Sequence, residues 1–84
     1  MTEHFVQLLT RPGCHLCEVA YEVMERVAAT SGVEWETVDV SKDTELEREY
    51  GDRLPVVLLD GREHGYWRVE EARLLRDLGA IPPA

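Results

Sequence analysis

Eighty-four residues make one domain, and 44% hydrophobic with 31% charged residues is the balance of a soluble globular chain. Nine basic against seventeen acidic residues leave a formal net charge of −8, which argues against nucleic-acid or anionic-membrane partners, since both call for a basic footprint. No stretch approaches the roughly 18 apolar residues that a membrane-spanning helix needs.

The opening residues, MTEHFVQLLT, carry Glu3 and His4, no basic region and only a short apolar run. No targeting segment is read there, and the expected location is the cytoplasm. FVQLL, residues 5–9, reads as a strand buried on both faces. TRPGC, residues 10–14, is a turn cluster around Pro12 and Gly13. From about Cys14 to Ser31, the residues Leu16, Val19, Ala20, Val23, Met24, Val27 and Ala28 recur at helical spacing, and Gly32 closes the helix.

VEWETVDV, residues 33–40, alternates and is rich in β-branched and aromatic side chains, so it reads as a second strand, with Trp35 a packing residue. Ser41 is expected to cap a short acidic helix that runs to Tyr50 and stops at Gly51. Leu46 and Tyr50 anchor it, and the acidic run 43–49 is its solvated face. VVLL, residues 56–59, is continuous enough to be a central strand, and Asp60-Gly61 is a strong hairpin signal. Residues 62–67 then form an edge strand, with His64 exposed on the hairpin. Tyr66 and Trp67 are read either as edge packing or as an exposed aromatic surface. Val69, Ala72, Leu75 and Leu78 make a last helical stripe, Gly79 stops it, and Pro82-Pro83 end the chain.

The order is βαβαββα. The first strand–helix–strand unit implies a parallel, right-handed crossover, and the Asp60-Gly61 turn makes the last two strands antiparallel. The expected architecture is α/β: a four-stranded mixed sheet of order 2-1-3-4 flanked by three helices.

Cys14 and Cys17 are the two cysteines, and they sit where the first strand turns into the first helix. Three chemistries compete: a redox-active dithiol, half of a metal site, and a structural disulfide. A staple is disfavoured in a reducing compartment, and so short a loop constrains the unfolded chain little. Zinc normally takes four Cys or His ligands. Beyond the cysteines only His4, His15 and His64 remain; His15 lies between the cysteines and His4 precedes a strand. A helix start favours a thiolate at Cys14, through unpaired amides and the macrodipole. Cys17, one turn on, is placed to resolve a mixed disulfide on Cys14. Cys-x-x-Cys at such a junction is a redox signature.

With Thr10-Arg11-Pro12-Gly13-Cys14-His15-Leu16-Cys17 after the first strand and Leu54-Pro55-Val56 opening the third, the chain resembles the glutaredoxin-like branch of the thioredoxin superfamily over essentially its whole length. The resemblance implies a thioredoxin-like fold, catalytic Cys14 and Cys17, and a cis peptide at Leu54–Pro55 facing the dithiol. It also implies that Arg11 helps to hold a glutathione carboxylate. Two positions depart from the glutaredoxin pattern. His15 stands where proline is common, and Gly65-Tyr66-Trp67-Arg68-Val69-Glu70 replaces a Gly-Gly-x-Asp stretch, leaving one glycine with Glu70 or Glu71 as the acidic cap. Gly13 stands where thioredoxins carry tryptophan.

Arg11, Pro12, Gly13, His15, Leu54, Pro55 and Gly65 are therefore the candidates for tuning the dithiol or contacting substrate. A partly cationic imidazole at His15 is expected to stabilise the Cys14 thiolate and raise the potential of the couple. The expected activity is thiol–disulfide exchange on a protein or low-molecular-weight disulfide. No bound cofactor is expected, and glutathione or a flavin-dependent reductase is the candidate electron donor. The chain is expected to act as a monomer. The competing readings are a metal- or iron–sulfur-binding module and a docking domain with little turnover.

Overall fold

Leu8 and Leu9 are neighbours on one strand, yet each is buried in a different core. That is what a strand covered on both faces requires, because successive side chains point to opposite sides. The strand is β1, Phe5–Thr10, of a computed structural model that describes residues 3–80. The remaining elements are α1 (His15–Ser31), β2 (Glu34–Asp39), a 3-10 turn (Val40–Lys42), α2 (Thr44–Tyr50), β3 (Val56–Leu59), β4 (Arg62–Tyr66) and α3 (Glu71–Asp77). The expected stop at Pro82-Pro83 lies outside the described residues.

The strands form one sheet in the order β2-β1-β3-β4. β1 is parallel to β2 and antiparallel to β3, which is antiparallel to β4. This is the mixed 2-1-3-4 sheet with three helices that the sequence predicts. On one face, Val6, Leu8 and Val57 pack with Ala20, Met24 and Val27 of α1 and with Val69 and Leu74. On the other face, Leu9, Val40, Val56 and Leu58 are covered by Leu46 and Tyr50 of α2. Each fully buried aliphatic side chain contributes about 1.5–3 kcal/mol relative to exposure.

The hairpin reading holds in detail. Asp60 and Gly61 both have positive φ, 53° and 83°, as a two-residue type I′ turn demands. The Asp60 carboxylate also accepts from the Phe5 amide at 2.8 Å and meets His4 Nδ1 at 2.6 Å, so the turn is clamped to the start of β1. The His4 hydrogen bond, then the Phe5 amide, holds the Asp60 carboxyl below the ordinary carboxylate range.

Several local expectations are corrected. Asp43, not Ser41, caps α2: its Oδ1 accepts from the amides of Glu45 and Leu46, while Ser41 is bound by Asp39 in the preceding turn. α3 begins at Glu71 rather than Val69, although Val69 is buried in the approach to it. Leu16 and Val19 belong to the apolar pattern of α1 but are half exposed. The inner seam is Cys17, Ala20, Met24 and Val27, and residues next to such a seam turn about 100° away from it.

His64 is the largest departure. It is not exposed on the hairpin: its side chain retains 6% of its accessibility. Val57 pairs with Gly65 but Leu58 pairs with Glu63, so His64 is the extra residue of a β-bulge. A bulge re-aims the side chain it carries. Nε2 of His64 meets Asp77 Oδ2 at 2.7 Å at the end of α3, and the Arg73 guanidinium donates to the His64 carbonyl. Nδ1 of His64 is buried without a partner among the described residues.

Candidate functional site

β1 delivers the chain to the site, and three residues turn it into α1. Gly13 has φ of +78°, where any side chain would be strained. The Cys14 amide donates to the Arg11 carbonyl at 3.3 Å and closes this turn. Cys14 then sits in extended geometry as the N-cap of α1. Its Sγ occupies the place where a serine or aspartate oxygen usually stands, accepting from the Cys17 amide at 3.2 Å.

The two sulfurs are at disulfide distance, with the Cα atoms 5.2 Å apart. Their environments differ. Cys14 is partly exposed, whereas Cys17 is 5% exposed and begins the inner seam of α1. Solvent can therefore reach Cys14, with Cys17 behind it. A negative charge on Cys14 faces a first-turn amide and the positive end of a 17-residue helix.

The other candidates fall into two groups. Arg11, Gly13, Cys14 and Cys17 line one open groove of about 610 Å³ between α1 and β2. Arg11 is anchored within it: the guanidinium donates to the Gly51 carbonyl at 3.2 Å and lies 3.8 Å from Glu47. It thereby ties the cysteine loop to the C-terminal end of α2, whose last carbonyls lack helical partners. A Cβ on Gly51 would lie 2.5 Å from the Glu47 carbonyl oxygen and 2.9 Å from the Arg11 guanidinium, so a side chain is excluded there. The sequence marks Gly51 only as a helix stop; its role in admitting Arg11 depends on a contact forty residues away in the chain. Asp39, at the end of β2, has its carboxyl held low mainly by the Ser41 hydroxyl, with smaller help from Lys42 and Arg11. Pro12 is exposed, and His15 is solvent-facing with Nδ1 3.8 Å from Glu18.

Leu54, Pro55 and Gly65 belong to the β3–β4 side. The Leu54–Pro55 peptide is cis. Leu9 pairs with Val56, so Pro55 stands level with Thr10, at the sheet end from which the cysteine loop departs. Pro55 is buried, and its carbonyl accepts from the Trp67 amide at 2.8 Å. Trp67 has φ of +69° and is 57% exposed, with its ring edge-on to Tyr66 at 5.0 Å. The aromatic pair is thus an exposed surface at the dithiol end of the sheet. Trp35, in contrast, packs on the core and meets Tyr21 edge-on at 5.1 Å. Gly65 lies within β4, where a Cβ would come 3.4 Å from the Arg73 guanidinium. Among the described residues, no three His, Cys, Asp or Glu side chains gather as a metal-binding set, and no helix is long and apolar enough to cross a membrane.

Sequence reading singled out the dithiol but not the carboxylates beside it. Glu18, Glu22 and Glu25 share the groove with the cysteines. Their spacing of four and then three residues was the available signal, since it places them on one helix face.

Comparison with known proteins gives the same picture. A family model described as Glutaredoxin-like domain (DUF836) matches residues 5–79. An uncharacterized protein of Mycobacterium tuberculosis is 45% identical over 83 residues, covering 93% of this chain and 86% of its own. The X-ray structure of a structural-genomics target protein from X. campestris is 35% identical, with a TM-score of 0.70, over 92% of this chain and 99% of that one. A mutant thioredoxin from Halobacterium salinarum superimposes with a TM-score of 0.68 at 19% identity, over 99% of this chain and 78% of its own, which identifies the fold as thioredoxin-like.

Proposed function

This chain belongs to the glutaredoxin-like domain family of the thioredoxin superfamily, and from that premise we propose that it is a thiol–disulfide oxidoreductase. A fold of this family with a Cys-x-x-Cys pair at disulfide distance supports a redox-type role. The observation that carries the finer reading is the asymmetry of the pair: a partly exposed Cys14 at the N-cap of α1, with a buried Cys17 one turn behind it.

In the proposed cycle the Cys14 thiolate attacks one sulfur of a substrate disulfide. The substrate S–S bond breaks, and the departing thiolate takes a proton from solvent. The Cys17 thiol gives up its proton and attacks Cys14 Sγ, which expels the second substrate thiol. Two electrons have then passed from the dithiol to the substrate, leaving a Cys14–Cys17 disulfide. Glutathione or a flavin-dependent reductase returns the two electrons. The substrate is a protein or small-molecule disulfide, and the setting is a reducing compartment, the cytoplasm.

The test is reduction of a neutral small-molecule disulfide by the wild type, Cys14→Ser and Cys17→Ser, with each electron donor in turn. Cys14→Ser is expected to lose turnover, and Cys17→Ser to accumulate a mixed disulfide on Cys14 detectable by mass. Full turnover by Cys14→Ser overturns the reading.

A further inference from the structure

Resting on the oxidoreductase reading, we propose that the groove holding the dithiol selects polypeptide disulfides whose cysteine is flanked by lysine or arginine. The groove contains Cys14, the partly exposed residue at which a substrate must arrive, and it continues along α1 past Glu18, Glu22 and Glu25. At 1.5 Å rise per residue, Glu25 lies about 16 Å along the helix axis from Cys14, the reach of about five extended residues. A substrate chain lying in the groove with its cysteine at Cys14 passes all three carboxylates.

These carboxylates are only slightly compensated from within: Glu22 feels the Arg26 charge through space, the weakest of the influences on that guanidinium. Glu22 and Glu25 form no salt bridge among the described residues. Glu18 has only the distant His15 contact at 3.8 Å. Arg11, the basic residue of the groove, is committed to Gly51 and Glu47. Arg26, the arginine of α1, is turned to α3, where it grips Glu71 through two hydrogen bonds of 3.2 Å. Like charges at these spacings repel one another along the helix, and a bound cation relieves that repulsion. The Tyr21 ring lies exposed among them, fixed edge-on against Trp35, and offers a face to a cationic side chain. The net charge of −8 extends the same field over the whole molecule. A peptide disulfide flanked by acidic residues is disfavoured there relative to one flanked by basic residues.

The test uses the full chain and three disulfide-linked peptides that differ only two to five residues from the cysteine, where they carry lysine, serine or glutamate. The ratio of kcat/KM values is the readout. The wild type is expected to favour the lysine peptide over the serine peptide by about tenfold at low salt, with the preference shrinking at high salt. Glu22→Gln/Glu25→Gln is expected to bring the ratio near one. Glu3→Gln/Glu45→Gln, which removes the same charge elsewhere, is expected to keep it. Equal rates for lysine and serine peptides in the wild type, or a ratio that falls equally in both double variants, overturns the groove assignment. Failure of the wild type to reduce even the serine peptide sinks the oxidoreductase reading, and this inference with it.

Discussion

The backbone amide of Cys17 donates to the Sγ of Cys14 across 3.2 Å, so in the proposed cycle the resolving residue would help to hold the charge of the residue it then attacks. A charge-assisted bond of this kind favours the thiolate over the thiol at Cys14. Cys17 has no such place, being sealed into the seam of α1. In the reduced protein at about pH 6, alkylation is therefore expected to label Cys14 at least about tenfold faster than Cys17. Peptide mass mapping of a time course reads this out, and faster labelling of Cys17 reverses the assignment.

His15 is adjacent to Cys14 but faces solvent, with Glu18 at 3.8 Å. A positive charge at this position would stabilise the reduced form, and exposure would screen it. His15→Ala is expected to lower the potential by only about 10–20 mV, on a scale where about 30 mV equals 1.4 kcal/mol for two electrons. Equilibration with a glutathione buffer at neutral pH measures it. An unchanged or raised potential shows that His15 does not tune the couple.

Three surface carboxyls set the acid limb of stability. Asp60 is held low first by His4, Glu63 first by Arg53, and Asp39 first by the Ser41 hydroxyl. Each stays charged in the folded protein after the unfolded chain has begun to take up protons. The stability they add is full above about pH 5 and is lost as pH falls through their lower native values. Urea midpoints are expected to fall between neutral pH and about pH 3, and Asp60→Asn is expected to flatten that slope. A slope unchanged in Asp60→Asn removes that residue from the account.

Gly51→Ala is expected to cost about 1–3 kcal/mol, the usual penalty for inserting atoms where none fit. The added Cβ meets a backbone carbonyl as well as Arg11, so side-chain adjustment cannot absorb the clash. Because Arg11 anchors the cysteine loop, the variant is also expected to slow disulfide reduction. Unaltered denaturant midpoint and rate count against the anchoring role.

His64 and Asp77 share one hydrogen bond but differ in burial, 6% against 46% side-chain exposure. His64→Ala empties space beneath α3 and is expected to cost about 2 kcal/mol or more. Asp77→Ala leaves the cavity filled, unpairs His64 Nε2 at the solvent edge and is expected to cost about 1 kcal/mol. Equal losses in equilibrium unfolding would place the stabilisation in the hydrogen bond rather than the packing.

The strand order, the Asp60-Gly61 hairpin, the long first helix and the paired cysteines at its start were all legible in the sequence. They rest on local physics: period-2 and period-3.6 patterning, a two-residue turn that needs positive φ, and an N-cap position next to Gly13. Four features waited for the tertiary structure. Leu16 and Val19 fit the apolar pattern of α1 but face outward, because a stripe defines a face and only packing decides how much of it is covered. His64 reads as a polar hairpin residue until a one-residue bulge turns it under α3. Arg11 finds Gly51 and Glu47 from forty and thirty-six positions away, a distance no periodicity spans. The acidic wall of the groove becomes a feature of the dithiol only when α1 lies beside β2. Sequence by itself determined where the paired cysteines stand, since helix starts and turns are encoded by neighbours. Only the tertiary structure decided what surrounds them, since burial and charge environment come from residues that meet through the folded chain.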